Sequence, residues 1–94
     1  MAQPNPPLYA RTSEIVGTDV DGEVVLLNPI SWNYFELDNI GSSIWELLET
    51  PQSLPSLVDT LMGKFNVDRA RCLSDAQQFL DALITHGLVA VVEA

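Results

Sequence analysis

Apolar and polar positions along the first third of the chain predict a three-stranded antiparallel sheet. Segments 13–19 and 23–28 are rich in apolar residues, and Asp21-Gly22 between them is a hairpin-turn signal because glycine tolerates the positive φ of tight turns. Pro29 cannot donate a hydrogen bond to a neighbouring strand, so it ends the second strand. The segment 32–37, "WNYFEL", completes the predicted meander.

The third predicted strand has large side chains on both faces. Because side chains alternate along a strand, Trp32 and Tyr34 would lie on one face, and Phe35 and Leu37 on the other. A chain of 94 residues buries one face of a small sheet more readily than two. The pattern therefore leaves the role of Trp32 and Tyr34 open.

Beyond this strand the apolar spacing becomes helical, and three helices are predicted. Asp38 or Asn39 can cap the first helix, Ser53 the second and Asp68 the third, because their side chains accept bonds from free backbone N–H groups. Gly87 is a typical residue just after a helix end. The segment that follows is either a short final strand or a stretch packed against the sheet.

The third helix has a wider apolar arc than a surface helix needs. Its predicted core stripe is Leu73, Ala76, Leu80, Leu83 and Ile84. Cys72, Phe79 and Ala82 lie beside this stripe, with Asp75 and His86 next to them. The arc then covers about half of the helix, whereas a surface helix needs roughly 100°. The third strand and the third helix thus each have more apolar surface than a small core requires.

Length and composition indicate one domain, which we place at residues 12–92 after a flexible proline-rich tail at 1–11. The tail lacks the basic start and the apolar run of a signal peptide, and no segment is apolar for long enough to cross a membrane. Cys72 is the only cysteine, so an internal disulfide is excluded. A reducing cytoplasm is the expected location.

A net charge of −9, with only four basic residues, disfavours nucleic acids and anionic membranes as partners. A neutral or basic partner would suit this charge. The alternative is that the charge only maintains solubility.

Catalytic and metal-binding patterns are not found in the sequence. Cys72 and His86 are fourteen residues apart, which is about 21 Å along one helix and too far for a nucleophile–base pair. No cysteine–histidine spacing suits zinc, and the five glycines do not form a phosphate loop. We therefore expect no enzymatic activity, no metal and no cofactor.

A three-stranded sheet has two open edges, and an open edge can accept a peptide as an added strand. If the third strand is such an edge and the third helix runs beside it, a groove forms between them. The alternative is that Trp32 and Tyr34 shield the sheet or form a dimer contact. A winged-helix DNA-binding module is a further alternative, which the charge disfavours.

The chain resembles the PqqD-like family, the recognition elements of pathways that modify ribosomally made peptides. Five groups of residues carry the resemblance: Tyr34 to Asn39; Gly41, Ile44, Trp45, Leu47 and Leu48; Leu57, Leu61 and Phe65; Val67 and Asp68; and Phe79, Leu80, Leu83, Gly87 and Leu88. The family often has Asn where this chain has Asp38, and either residue can cap a helix. The resemblance covers residues 12–92, with no modifying enzyme fused to them.

The resemblance implies an α+β, winged-helix-like fold with a three-stranded antiparallel sheet followed by three helices. It also implies that a precursor's leader peptide binds as an added strand beside the third strand, with the third helix as the far wall. The implied peptide-binding residues are Asn33, Tyr34, Phe35, Glu36, Leu37, Arg69, Arg71, Cys72, Asp75, Phe79, Ala82, Leu83 and His86. In this set Arg69 and Arg71 would pair with leader carboxylates.

Stand-alone members of this kind pass the precursor to a separate leader peptidase or modifying enzyme, and we favour a lasso-peptide pathway. The alternatives are another modified-peptide pathway with a radical SAM partner, or a winged-helix or dimerisation module. A homodimer is compatible with each of these functions.

Overall fold

The structure is a computed structural model that describes residues 6–12 and 15–92. Its elements in chain order are β1 (Leu8–Arg11), β2 (Val16–Val20), β3 (Glu23–Leu27), β4 (Tyr34–Glu36), α1 (Asn39–Leu47), β5 (Gln52–Ser53), α2 (Leu54–Lys64), α3 (Arg69–Thr85) and β6 (Val89–Val92). They form an α+β fold with three helices and two small antiparallel sheets, and this confirms the predicted fold class.

The predicted meander is the sheet β2–β3–β4. Asp21 and Gly22 both have positive φ, 55° and 86°, as the tight turn between β2 and β3 requires. The first strand begins at Val16 and ends at Val20, while Ser13 and Glu14 of the predicted strand lie outside the described residues. The third strand is shorter than predicted, because Trp32 belongs to the turn before it.

The second sheet, with the order β5–β1–β6, was not predicted. Its central strand is β1, so the prediction of a flexible tail over residues 1–11 is wrong for Leu8–Arg11. This strand is antiparallel to β6, the final strand that the sequence left open, and Tyr9 is opposite Val91. Because these partners are about eighty residues apart in the sequence, local patterns do not reveal the pairing. Residues 1–5 lie outside the described part of the chain.

The three helices begin at predicted capping residues. The side chains of Asp38, Ser53 and Asp68 each accept a hydrogen bond from a backbone N–H in the first turn of their helix. The end of α3 follows the Schellman pattern, because Gly87 has a φ of 75° and the Leu88 N–H donates to the Leu83 carbonyl at 2.8 Å.

The core lies where the helices pack on the two sheets. Its most deeply buried side chains are Leu26, Ile44, Leu48, Leu57, Val58, Leu61, Leu80 and Leu88. One prediction for α3 is corrected, since Leu73 is exposed and the neighbouring Cys72 is buried. The inward stripe of α3 is thus rotated toward Cys72, because α1 and α2 pack on that side of the helix.

A buried hydroxyl joins the meander to the helices. The Ser42 Oγ in α1 accepts a hydrogen bond from the Val24 N–H in β3 at 2.8 Å, and it donates to the Leu37 carbonyl at 3.2 Å. These two bonds fix the start of α1 against the end of β4. Across the described ranges, no helix combines the length and apolar character needed to cross a membrane.

Candidate functional site: an open strand edge and an adjoining cleft

The strand β4 lies at one end of its sheet and has a neighbour, β3, on one side. Phe35 is opposite Leu26 in the register. The Asn33 carbonyl accepts a hydrogen bond from the Asn28 N–H at 2.9 Å, and the Leu37 N–H donates to the Val24 carbonyl at 2.8 Å. Because hydrogen-bonded and non-bonded pairs alternate in an antiparallel ladder, the N–H and C=O groups of Tyr34 and Glu36 point away from β3. Four backbone groups are thus oriented toward the open edge.

The two faces of β4 differ as the alternation predicts. Leu37 is buried and Phe35 is half-buried, with its ring centroid 4.7 Å from that of His86 at the end of α3. Tyr34 and Glu36 are exposed on the opposite face. The contact between Phe35 and His86 places the C-terminal end of α3 against β4.

The α3 surface that continues from this contact is a stripe at alternating spacings of three and four residues: Cys72, Asp75, Phe79, Ala82 and His86. Residues with this spacing share one face of a helix. The stripe is about 21 Å long, which is the length of roughly six residues of extended chain. A short added strand at β4 could therefore contact α3 along this stripe.

An open cleft of about 560 Å³ lies at the N-terminal half of the stripe. Its walls come from the start of α1, from the 66–68 loop and from α3, and Leu61 of α2 also lines it. The Phe79 ring packs so closely on α1 that a Cβ at Gly41 would lie 3.1 Å from its Cε1 and Cζ atoms. Asp38, which directly follows the Leu37 of the β4 segment, is also in the lining and makes the cleft continuous with the open edge.

The charges of the cleft are mostly negative. Asp38 and Asp68 line it, but each caps a helix, so backbone N–H groups offset part of their charge. Arg71 Nε lies 3.7 Å from an Asp75 carboxylate oxygen, and both side chains are well exposed, so the pair is weak. Arg71 can therefore turn toward a carboxylate of a bound peptide at little cost.

Cys72 is a buried, apolar part of the cleft wall. Burial raises the pKa of its thiol, and the Asp75 carboxylate raises the pKa further. The thiol is therefore protonated at neutral pH, which suits packing against an apolar side chain. Within residues 6–12 and 15–92, no three His, Cys, Asp or Glu side chains are grouped so that they could hold a metal ion.

The structure brings together part of the predicted peptide-binding set. The cleft contains Arg71, Cys72, Asp75 and Phe79, and the edge segment 33–37 adjoins it. The remaining four residues lie outside the cleft. Ala82 is exposed and His86 is against Phe35, both on the α3 stripe, whereas Leu83 is in the core and Arg69 bonds to Asp59 at 2.6 Å.

The sequence did not indicate the α1 wall of the cleft. Ile40, Gly41 and Ile44 line it, together with Val67 and Ala76 on the opposite side. The spacing of Ile40 and Ile44, four residues apart, indicates only an inward-facing apolar stripe on the first helix. In the structure Ile40 is instead exposed on the first turn of α1, where it lines the cleft.

Comparison with family models identifies "Coenzyme PQQ synthesis protein D (PqqD)" over residues 23–89. The chain belongs to the PqqD family. The matched segment contains the meander strands β3 and β4, all three helices and the cleft. Comparison with curated proteins finds no match.

Two solved structures are similar to this member of the PqqD family. One, "TbiB1 in Complex with the TbiA(beta) Leader Peptide", is 36% identical, with a TM-score of 0.79 over 85% of this chain and 93% of that chain. The other, "Lasso peptide synthetase B1 complexed with the leader peptide", is 22% identical, with a TM-score of 0.78 over 87% of this chain and 96% of that chain. The similarity to this second structure supports the assignment of the fold alone.

Proposed function

We propose that this PqqD-family protein captures the leader segment of a ribosomally made precursor peptide and presents it to a separate leader peptidase or modifying enzyme of a lasso-peptide pathway. The observation that carries the proposal is the open edge of β4 beside the α3 stripe and its cleft. The 36% identity to a chain solved with a leader peptide gives independent support. Such a function is binding rather than catalysis, and its place is the cytoplasm, where precursor peptides are made.

The main chain of the leader would pair with β4. The outward N–H and C=O groups of Tyr34 and Glu36 offer four hydrogen bonds, and each contributes about 0.5–1.5 kcal/mol net. This backbone pairing requires no particular leader sequence, so it supplies affinity without selectivity.

Selectivity would come from alternate leader side chains that enter the cleft. The half-buried Phe79 ring and the buried Cys72 thiol present an apolar wall to them. Each apolar side chain that is fully buried there contributes about 1.5–3 kcal/mol. After the cost of ordering the peptide, binding in the micromolar range, about 8 kcal/mol, is expected, and this affinity permits release after processing.

Hydrogen exchange tests the strand pairing directly. The leader is taken from a short precursor reading frame sought beside the gene for this protein. Its binding should slow the exchange of the Tyr34 and Glu36 amides at least tenfold, because these groups gain partners only in the complex. The Leu37 amide already bonds to the Val24 carbonyl at 2.8 Å, so it is the internal control. Equal protection of all three amides, or of none, would contradict strand addition at β4.

A substitution in the cleft tests the side-chain contacts. We expect Phe79→Asp to weaken leader binding at least tenfold in fluorescence polarisation while the helical circular-dichroism signal remains. Gln78→Asp is the matched control, because it adds the same charge to the exposed neighbouring position of α3. A folded Phe79→Asp variant with wild-type leader affinity would contradict the binding of leader side chains in the cleft.

A further inference from the structure

The second sheet, β5–β1–β6, ends in an open strand that the leader site does not use. The strand β6 has β1 on one side, and the described residues supply no strand on the other. Ala90, Val91 and Val92 of this strand are exposed, the two valines at 51% and 41%. An open edge can pair with a strand of another chain, and proteins usually prevent this with short strands, charged side chains or proline.

The other strands that end a sheet have such protection. The strand β5 is two residues long and follows Pro51. The strand β2 contains Asp19, and β4 is three residues long and contains Glu36. In contrast, β6 has the sequence VAVV, and no charged residue or proline occurs from Gly87 to Val92. An unprotected edge of this composition is a site where association with another strand is expected.

The backbone of β6 is oriented for such pairing. The Thr12 N–H donates to the Leu88 carbonyl at 3.1 Å, one step beyond the pair Arg11–Val89 of the β1–β6 register. Because hydrogen-bonded and non-bonded pairs alternate in an antiparallel ladder, the N–H and C=O groups of Val89 and Val91 point away from β1. Four backbone groups are thus oriented toward the open edge.

These four groups fit a second copy of the same strand. In an antiparallel pair of β6 strands, Val89 can lie opposite Val91 of the second copy, and Val91 opposite its Val89. The outward groups then form four hydrogen bonds, and Ala90 lies opposite its own symmetry mate on the twofold axis. Residues of a non-bonded pair approach to about 4.5 Å between Cα atoms, so a small uncharged side chain suits this position.

The side chains of β6 would also gain contacts in this arrangement. Val89 and Val91 lie on the same face as Tyr9, which is opposite Val91. Across the seam Val91 is beside Val89 of the second copy, so the exposed half of its side chain is covered. Ala90 and Val92 lie on the other face and meet the apolar side chains of the second copy there.

We propose that this protein forms a symmetric dimer by antiparallel pairing of two β6 strands, which joins the two second sheets into one sheet of six strands. The β4 edge belongs to the other sheet, and the cleft contains no residue of β6. Each copy therefore retains its leader site. The proposal goes beyond the proposed function and does not depend on leader binding.

Charge favours a second copy as the occupant of the edge. A partner that is recognised by its charge finds no counter-charge between Gly87 and Val92, whereas two copies meet there without a like-charge pair. The net charge of −9 on each copy opposes their approach at long range. Because salt screens long-range repulsion, it should strengthen this association, although it would weaken a complex held by opposite charges.

The first experiment measures the mass and the exposed amides of the full-length chain. Sedimentation equilibrium at about 0.15 M and about 1 M salt, where the Debye lengths are about 8 and 3 Å, should show a monomer–dimer equilibrium that is tighter at the higher salt. In hydrogen exchange, the Val89 and Val91 amides should slow at least tenfold from dilute to concentrated samples. The Ala90 amide faces β1 in the monomer, so it is the internal control.

A charge exchange at position 90 tests the twofold axis. Ala90 is exposed in the monomer, and Ala90→Lys and Ala90→Glu should each weaken the dimer at least tenfold, because like charges then meet on the axis. An equimolar mixture of the two variants should restore the dimer. Thr18→Lys is the matched control, since it adds the same charge to an exposed position in the middle of β2. Thr18→Lys should change the dimer affinity less than twofold, and Ala90→Lys should change leader affinity less than twofold.

Three results would overturn the dimer: a monomer at every concentration, a dimer that neither charge variant weakens, or a mixture of the variants that stays monomeric. If the chain stays monomeric and the Val89 and Val91 amides slow only when a pathway enzyme is added, the edge belongs to that enzyme. Failure of the wild-type chain to bind leader would instead reject the proposed function, and the sedimentation test would be unaffected.

Discussion

Trp32 occupies a left-handed backbone conformation with its side chain in solvent. The left-handed conformation costs a residue with a Cβ about 1–2 kcal/mol, and an exposed indole recovers little of that cost by burial. The turn therefore holds a large apolar side chain in solvent at a cost in stability.

Replacement of this residue by glycine should stabilise the fold. The change removes the energetic cost of the left-handed conformation. The greater conformational entropy of glycine in the unfolded chain lowers the stability by about 0.5–1 kcal/mol and so offsets part of this gain. We expect the free energy of unfolding of Trp32→Gly to rise by about 0.5–1 kcal/mol in urea denaturation. Trp32→Ala keeps the Cβ and should show no such rise; equal stability of the two variants would argue against strain at this position.

Gly41 is the residue of α1 that lies against the Phe79 ring, which forms the α3 wall of the cleft. A Cβ in this position would meet the Phe79 ring at 3.1 Å, so the ring must shift, although alanine improves helix propensity by about 1 kcal/mol. We expect Gly41→Ala to change stability little and to weaken leader binding about fivefold, which is about 1 kcal/mol.

Gly63→Ala is the control for this pair, because a Cβ at Gly63 in α2 meets nothing within 4 Å. It should leave leader affinity unchanged. Identical leader affinities for both alanine variants would show that the position of the Phe79 ring does not govern binding.

At the scale of elements, the junction between the meander and α1 depends on one buried side chain. The Ser42 hydroxyl is the hydrogen-bond partner of the Val24 N–H inside the core. Ser42→Ala leaves that N–H without a partner, and an unsatisfied buried donor costs about 1–3 kcal/mol. We expect a loss of that size in chemical denaturation.

Ser43→Ala is the matched control on the same helix. The Ser43 hydroxyl is also buried, but its partner in the structure is the ammonium group of the exposed Lys64, with Oγ and Nζ 3.5 Å apart. Its loss should therefore cost less than that of Ser42. A reversed order of the two variants would contradict the role assigned to the Ser42 bonds.

Helix boundaries were predictable at this scale, since capping is a contact within one turn. Asp38, Ser53 and Asp68 each bond to an N–H three residues later, and such pairs can be identified from adjacent letters of the sequence. The rotation of α3 was not predictable in this way. Leu73 and Cys72 are both apolar, and which of them faces inward depends on where α1 and α2 pack.

At the scale of the whole molecule, the N-terminal segment is a structural part of the fold. The strand β1 lies between β5 and β6, and Tyr9 is buried in the core. We expect Tyr9→Ala to lower the free energy of unfolding by about 3 kcal/mol, because truncation of a buried aromatic removes burial and leaves a cavity.

Val91→Ala is the control for Tyr9→Ala, because Val91 is the cross-strand neighbour of Tyr9 and its side chain is half exposed. Its effect should be about 0.5 kcal/mol or less. Equal effects of the two substitutions in urea denaturation would mean that β1 contributes backbone pairing alone.

The sequence by itself determined the three-stranded meander, the Asp21-Gly22 turn, the helix caps and the surplus of apolar side chains on 32–37 and on α3, because these depend on interactions between near neighbours in the chain. The tertiary structure alone decided the central place of β1, the exposure of Leu73 and the α1 wall of the cleft. These depend on contacts between residues that are far apart in the sequence, and the letters of one segment do not specify which distant segment packs against it.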